Sequence, residues 1–313
     1  MKLPQSIERL THQTLTAESN GIAYDVWTCP PPGYDQNGDG SYPLVVLLDG
    51  DMFMGAASET VALVSSIGEA RPGIVVGVTT AAREMHGIQR TIDYSAEVPT
   101  DAIRTTPEGA GFNFWKIYED MFASLNMNFE DGFGGTDAFL AFLTDQLLPK
   151  VQASYRVDAD EIGIAGHSSG GDFAVDTLLR KDTPFSKFIV GSFGTDVLDR
   201  TLPEREAAYA ANKTDRQLSV FCGYGGAEET DPYLRDYIIR GVELMQRLKE
   251  SDPGVEITVR GFDKETHGSV FPHIFSTGYR ELWGTGMSFV DAVADSPEIR
   301  QVDLNFVIAV PAS

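Results

Sequence analysis

Along this chain, short apolar runs alternate with stretches of helical periodicity. Residues 43–49 (PLVVLLD) are apolar at nearly every position, the pattern of a strand buried on both faces. Residues 73–79, 161–166, 187–192, 218–223 and 255–262 are further short runs rich in β-formers. The clearest helices between them are predicted over 136–151, 171–181 and 232–250; in the second, Phe173, Ala174, Thr177 and Leu178 form an apolar stripe at helical spacing. Ahead of all these, 12–19 and 22–29 alternate in polarity and are joined at Asn20-Gly21, a strong hairpin signal. The order predicts an α/β fold: a mostly parallel central sheet flanked by helices, led by an antiparallel hairpin, with ligands at the carboxyl ends of its strands.

One stretch breaks the rhythm. Residues 95–133 form a lid-like insertion, and its second half carries Phe114, Trp115, Tyr118, Phe122 and Phe129, too apolar for a solvated linker. These side chains pack on the body of the protein or line a substrate site, with Phe114 and Trp115 as candidate substrate contacts. Residues 302–310 read as a last strand that closes the sheet or pairs with a second copy, which would make a homodimer. The whole, 1–313, is read as a single domain with this one insertion.

Composition narrows the partners. Against 46 acidic side chains there are 24 Lys and Arg, a net charge of −22 whose field repels phosphate backbones and anionic membranes. No nucleic-acid or membrane partner is expected, and a small molecule is. Two cysteines, Cys29 and Cys222, are too few for a disulfide framework. The N-terminus lacks the apolar stretch of a signal peptide, which makes the cytoplasm the expected compartment. No metal-ligand spacing, phosphate-binding loop or dinucleotide fingerprint is present, so no metal or cofactor is expected.

The chemistry concentrates in Gly166-His167-Ser168-Ser169-Gly170-Gly171, a G-x-S-x-G pattern directly after a predicted strand and before a predicted helix. A serine on that sharp turn projects its hydroxyl, and the helix N-terminus beside it favours developing negative charge. The hydroxyl needs a base, and in this arrangement serine, acid and histidine follow in that order. Of the two later histidines, His267 lies in the loop after the strand over 255–262 and is the candidate; His273 sits in the apolar segment beyond. The acid belongs to the loop after the strand over 218–223, where Glu228 is the first choice, Asp231 and Glu229 follow, and Asp196 is an outside candidate one strand earlier. Two main-chain donors complete an acyl-transfer site: the amide of Ser169 and, from the loop after residue 49, that of Asp51. His167, adjoining the nucleophile, is a candidate substrate contact.

These residues resemble the esterase family of the α/β-hydrolase superfamily that includes enterochelin and salmochelin esterases, S-formylglutathione hydrolase and the mycolyltransferases. The likeness runs through Tyr42-Pro43-Leu44-Val45-Val46-Leu47-Leu48-Asp49-Gly50, Arg90-Thr91-Ile92-Asp93-Tyr94, Gly134-Gly135-Thr136-Asp137, Gly166 to Gly171 and Thr266-His267-Gly268-Ser269-Val270. It implies the α/β-hydrolase fold, a Ser168–Glu228–His267 triad and oxyanion donors at Asp51 and Ser169. The expected activity is hydrolysis of a small carboxylic ester through an acyl-enzyme. Transfer of the acyl group to an alcohol, or a silent binding protein on the same fold, are the alternatives.

Overall fold

The computed structural model describes residues 5–211 and 217–287, so the predicted strand over 302–310 lies outside the described residues. Eight strands form one sheet in the order β1-β2-β4-β3-β5-β6-β7-β8. These are β1 Thr11–Thr16, β2 Ala23–Cys29, β3 Tyr42–Leu48, β4 Ile74–Thr80, β5 Val157–His167, β6 Lys187–Gly191, β7 Leu218–Gly225 and β8 Val255–Phe262. The pairs β1–β2 and β2–β4 are antiparallel; every other pair is parallel. The leading hairpin is therefore the antiparallel edge of a parallel sheet.

The apolar run of β3 is buried on both faces, as its composition predicts. Leu44, Val46 and Leu48 enter one core with Phe173 and Leu178 of the helix Ser169–Leu178 and Leu244 and Met245 of the helix Leu234–Ser251. Val45 and Leu47 enter the other core, with Met54 and Val61 of the helix Gly50–Ser66 and Ile274 and Phe275 of the helix Phe271–Trp283. A sheet covered on both faces leaves its strand ends as the place for a site. After β3 the chain goes to β4 on one side and returns to β5 on the other, so the strand order switches there and opens a crevice at the carboxyl ends of β3 and β5.

Three elements differ from the sequence reading. The hairpin connection is wider than Asn20-Gly21 alone: β1 ends at Thr16, the Ala17 amide bonds the Ile22 carbonyl at 2.8 Å, and Gly21 takes a φ of 73°. The helix predicted over 136–151 is interrupted, running as α-helix Thr136–Ala141, π-helix Phe142–Leu147 and α-helix Leu148–Ser154. Pro149 explains this, because it has no amide to donate and its ring crowds the preceding turn, so the ladder widens ahead of it. The insertion over 95–133 holds a helix of its own, Phe114–Ser124, and a small separate core in which Phe122 and Phe129 pack with Ile88. No helix among the described residues is long and apolar enough to cross a membrane.

Candidate active site

Three strands end at the crevice on residues with unusual backbone. Asp49 (φ 53°), Ser168 (φ 58°) and Ser192 (φ 41°), each immediately after the strand β3, β5 or β6, are non-glycine residues in the positive-φ region. L-residues are held there only when the surroundings over-determine them, and such positions gather at functional sites. The turn at Ser168 also requires glycine before it. A Cβ at Gly166 would stand 2.2 Å from the Gly170 carbonyl oxygen, so the strand and the incoming helix approach too closely for any side chain.

Ser168 is half-buried and faces a cavity of about 670 Å³ that His267 also lines. Its hydroxyl makes no hydrogen bond among the described residues, while its amide is tied to the Gly191 carbonyl at 2.8 Å. The helix Ser169–Leu178 begins directly after it, and the amides of a helix's first turn have no partner within the helix. Ser169 contributes one such amide. Asp51 contributes another, in the first turn of the helix Gly50–Ser66; its carboxylate lies 3.5 Å from His86 Nδ1.

The loop after β7 delivers Glu228, which is 1% exposed. Its Oε1 accepts from His267 Nδ1 at 2.5 Å, and its Oε2 accepts from Ser192 Oγ at 2.8 Å and the Gly225 amide at 2.7 Å. Burial acts to raise the Glu228 pKa, but the hydrogen bonds from His267, Gly225 and Ser192 outweigh it and hold the carboxyl below its ordinary value. An ionised carboxylate only accepts, so Nδ1 of His267 is the donor in this bond and carries a proton.

The other carboxylates considered for this role are engaged elsewhere. Asp231 Oδ1 takes the amides of Tyr233 and Leu234 at 2.8 and 3.0 Å and caps the helix Leu234–Ser251. Asp196 pairs with Arg240, and Glu229 is exposed. His273 lies 3.3 Å from Glu265 on the exposed side of the helix Phe271–Trp283.

His167 is placed differently from the substrate contact expected of it. It is 6% exposed and lies outside the cavity lining, with its Nε2 donating to the His267 carbonyl at 2.8 Å and its ring 4.7 Å from the His267 ring. Burial, aided by His267, pushes its pKa down to about 3, so it is a neutral prop behind His267. Phe114 and Trp115 do line the cavity. The Trp115 indole donates to the Ile103 carbonyl at 3.1 Å, and the Phe114 amide donates to Tyr233 Oη at 3.0 Å, which tethers the insertion across the cleft.

Asp49 and Arg90 had no role in the sequence reading. Arg90 forks onto Asp49 through Nε at 2.8 Å and Nη2 at 3.0 Å, and the same Nη2 reaches the His167 carbonyl at 3.0 Å. The pair joins the ends of β3 and β5. The one signal for it in the chain was a carboxylate closing an apolar strand, which does not reveal its partner.

This mostly parallel sheet with helices on both faces, and a serine on a strained turn before a helix, defines an α/β-hydrolase-fold protein. The chain belongs to the esterase family described as "Putative esterase", whose family model matches residues 21–252. It is 24% identical over 259 residues to the ferri-bacillibactin esterase BesA of Bacillus subtilis, covering 81% of this chain and 80% of that one. Among solved structures it resembles the siderophore hydrolase EstB of Aspergillus nidulans, with a TM-score of 0.71 at 19% identity over 92% of this chain and 98% of that one. The BES protein of Bacillus cereus superposes with a TM-score of 0.70 at 21% identity over 90% and 98%.

Proposed function

We propose that this protein is a serine carboxylic-ester hydrolase working through an acyl-enzyme. The observation that carries the reading is the hydrogen bond from His267 to the buried Glu228, set on the same cavity as the unpartnered Ser168 hydroxyl. In the first step His267 Nε2 takes the Ser168 proton as Oγ bonds to the ester carbonyl carbon. Glu228 holds the imidazole in position and offsets its positive charge. The amides of Asp51 and Ser169 receive the oxyanion, each worth about 3 kcal/mol of barrier. Collapse breaks the carbon–oxygen bond to the alcohol, which leaves with the proton from His267. Water then repeats the sequence on the acyl-serine and releases the acid.

A cavity of about 670 Å³ matches a small organic ester. The similarity to a ferri-bacillibactin esterase and to the siderophore hydrolase EstB makes siderophore esters the first physiological class to try. The test is turnover of p-nitrophenyl butyrate together with fluorophosphonate labelling, in the wild type and in Ser168→Ala. Activity and labelling are both expected in the wild type and both lost in the variant. Full activity in Ser168→Ala would refute the mechanism.

A further inference from the structure

The cavity beside Ser168 combines carboxylates with aromatic faces. Asp172, Asp196, Asp231 and Asp236 line it against one guanidinium, Arg240, which is already paired with Asp196. Rings of Phe114, Trp115 and Tyr233 form another part of the lining. The mechanism above uses none of these groups.

Asp172 is the unusual member. It stands one helical turn after the nucleophile, its amide bonding the Ser168 carbonyl at 3.0 Å, and it is 3% exposed. Both of its protein hydrogen bonds fall on one oxygen: Oδ1 accepts from Tyr237 Oη at 2.6 Å and from the Gly194 amide at 2.8 Å. Oδ2 accepts none among the described residues, yet it is not sealed away, and the residue lines the cavity. Burial pushes the carboxyl up to about 7; Asp196 adds to that effect, while Tyr237, Gly194 and Arg90 oppose it. Near neutral pH that carboxyl is divided between its protonated and ionised forms, and a donor that brings positive charge to the open oxygen favours the carboxylate and is bound best by it. Aromatic faces attract the same kind of group, and the net charge of −22 concentrates cations around the molecule.

We propose that the cavity selects esters carrying a protonated amine, held between the Asp172 carboxylate and the aromatic faces of Phe114, Trp115 and Tyr233, and that Asp172 determines this preference. The inference rests on the esterase reading and narrows its substrate class.

It is tested with three p-nitrophenyl esters of similar length: those of ε-aminohexanoate, heptanoate and, as the half-ester, adipate. The expected order of kcat/KM is cation, then neutral, then anion, with the cation ahead of the neutral ester by roughly tenfold, the scale of one charge-assisted hydrogen bond. In Asp172→Asn the cation-to-neutral ratio falls by about tenfold through KM, whatever the absolute rates. A loss shared equally by all three esters would show a structural role and overturn the proposal, as would a wild type that prefers the anion. The wild type supplies a second readout that depends on no variant. Benzylamine is expected to compete with the heptanoate ester about tenfold more tightly than phenylacetate does, and equal or reversed inhibition overturns the proposal. Absence of turnover on every ester, with no fluorophosphonate labelling of Ser168, would instead sink the esterase reading and this inference with it.

Discussion

Glu228 Oε1 and His267 Nδ1 stand 2.5 Å apart, although 39 residues separate them in the chain. The carboxylate is held from its other side by Ser192 and Gly225, so it can neither swing away nor take up a proton easily. That arrangement sets the tautomer of His267.

Glu228→Gln keeps the shape of the side chain but removes the charge that, in the proposed mechanism, stabilises the imidazolium. The expected loss in kcat is about 10²- to 10⁴-fold on p-nitrophenyl butyrate. Glu229→Gln, one residue along and exposed, is expected to stay near the wild-type rate. Equal losses in the two variants would remove Glu228 from the mechanism.

Gly166→Ala places a methyl group 2.2 Å from the Gly170 carbonyl, where only backbone movement can make room. A destabilisation of roughly 1–3 kcal/mol is expected, with displacement of the turn that carries Ser168. Urea unfolding and the rate of fluorophosphonate labelling measure the two effects; wild-type values for both would show that the turn has slack.

Asp49→Asn leaves the Arg90 guanidinium, 20% exposed, without its carboxylate. Breaking a largely buried pair from one side is expected to cost about 3 kcal/mol. Replacing both partners, as Asp49→Asn with Arg90→Met, is expected to recover part of that loss, because no charge is then stranded and asparagine tolerates the φ of 53° at this position. Denaturant midpoints of the wild type and the two variants test this, and a double variant less stable than the single one would contradict it.

Asp93 links stability to pH. It is 3% exposed and accepts from Tyr24 Oη at 2.9 Å and Gln89 Nε2 at 2.8 Å, and burial pushes its pKa up to about 7 against the bonds from Gln89 and Tyr24. In the unfolded chain the same group loses its proton near pH 4. The folded state therefore binds more protons between those values, so the stabilisation is complete below about pH 4 and is lost as pH rises through about 7. Asp93→Asn has no proton to lose. Relative to that variant the wild type is expected to lose up to roughly 4 kcal/mol across the window, read from urea midpoints at several pH values. Parallel pH profiles would show that the carboxyl does not titrate in this range.

The sequence is most legible where local pattern carries the physics. The eight strands and the helix after Ser168 were legible because an apolar run such as 43–49 has nowhere to go but a sheet covered on both faces. Ser168 was legible because glycines on both sides of a serine, between strand and helix, serve a turn that other residues cannot make. The π-helical break ahead of Pro149 is equally local, because the proline that causes it stands inside the periodic stretch.

The order of residues by itself determined the sheet, the turn at Ser168 and the short choice of histidines and acids. Which carboxylate meets His267, that His167 lies behind the site instead of in it, that Arg90 ties β3 to β5, and that Asp172 lines the cavity were decided only by the tertiary structure. The physical reason is range: backbone conformation is set by neighbours along the chain, whereas a hydrogen bond or an ion pair depends on distances of a few ångströms between segments brought together only when the sheet assembles.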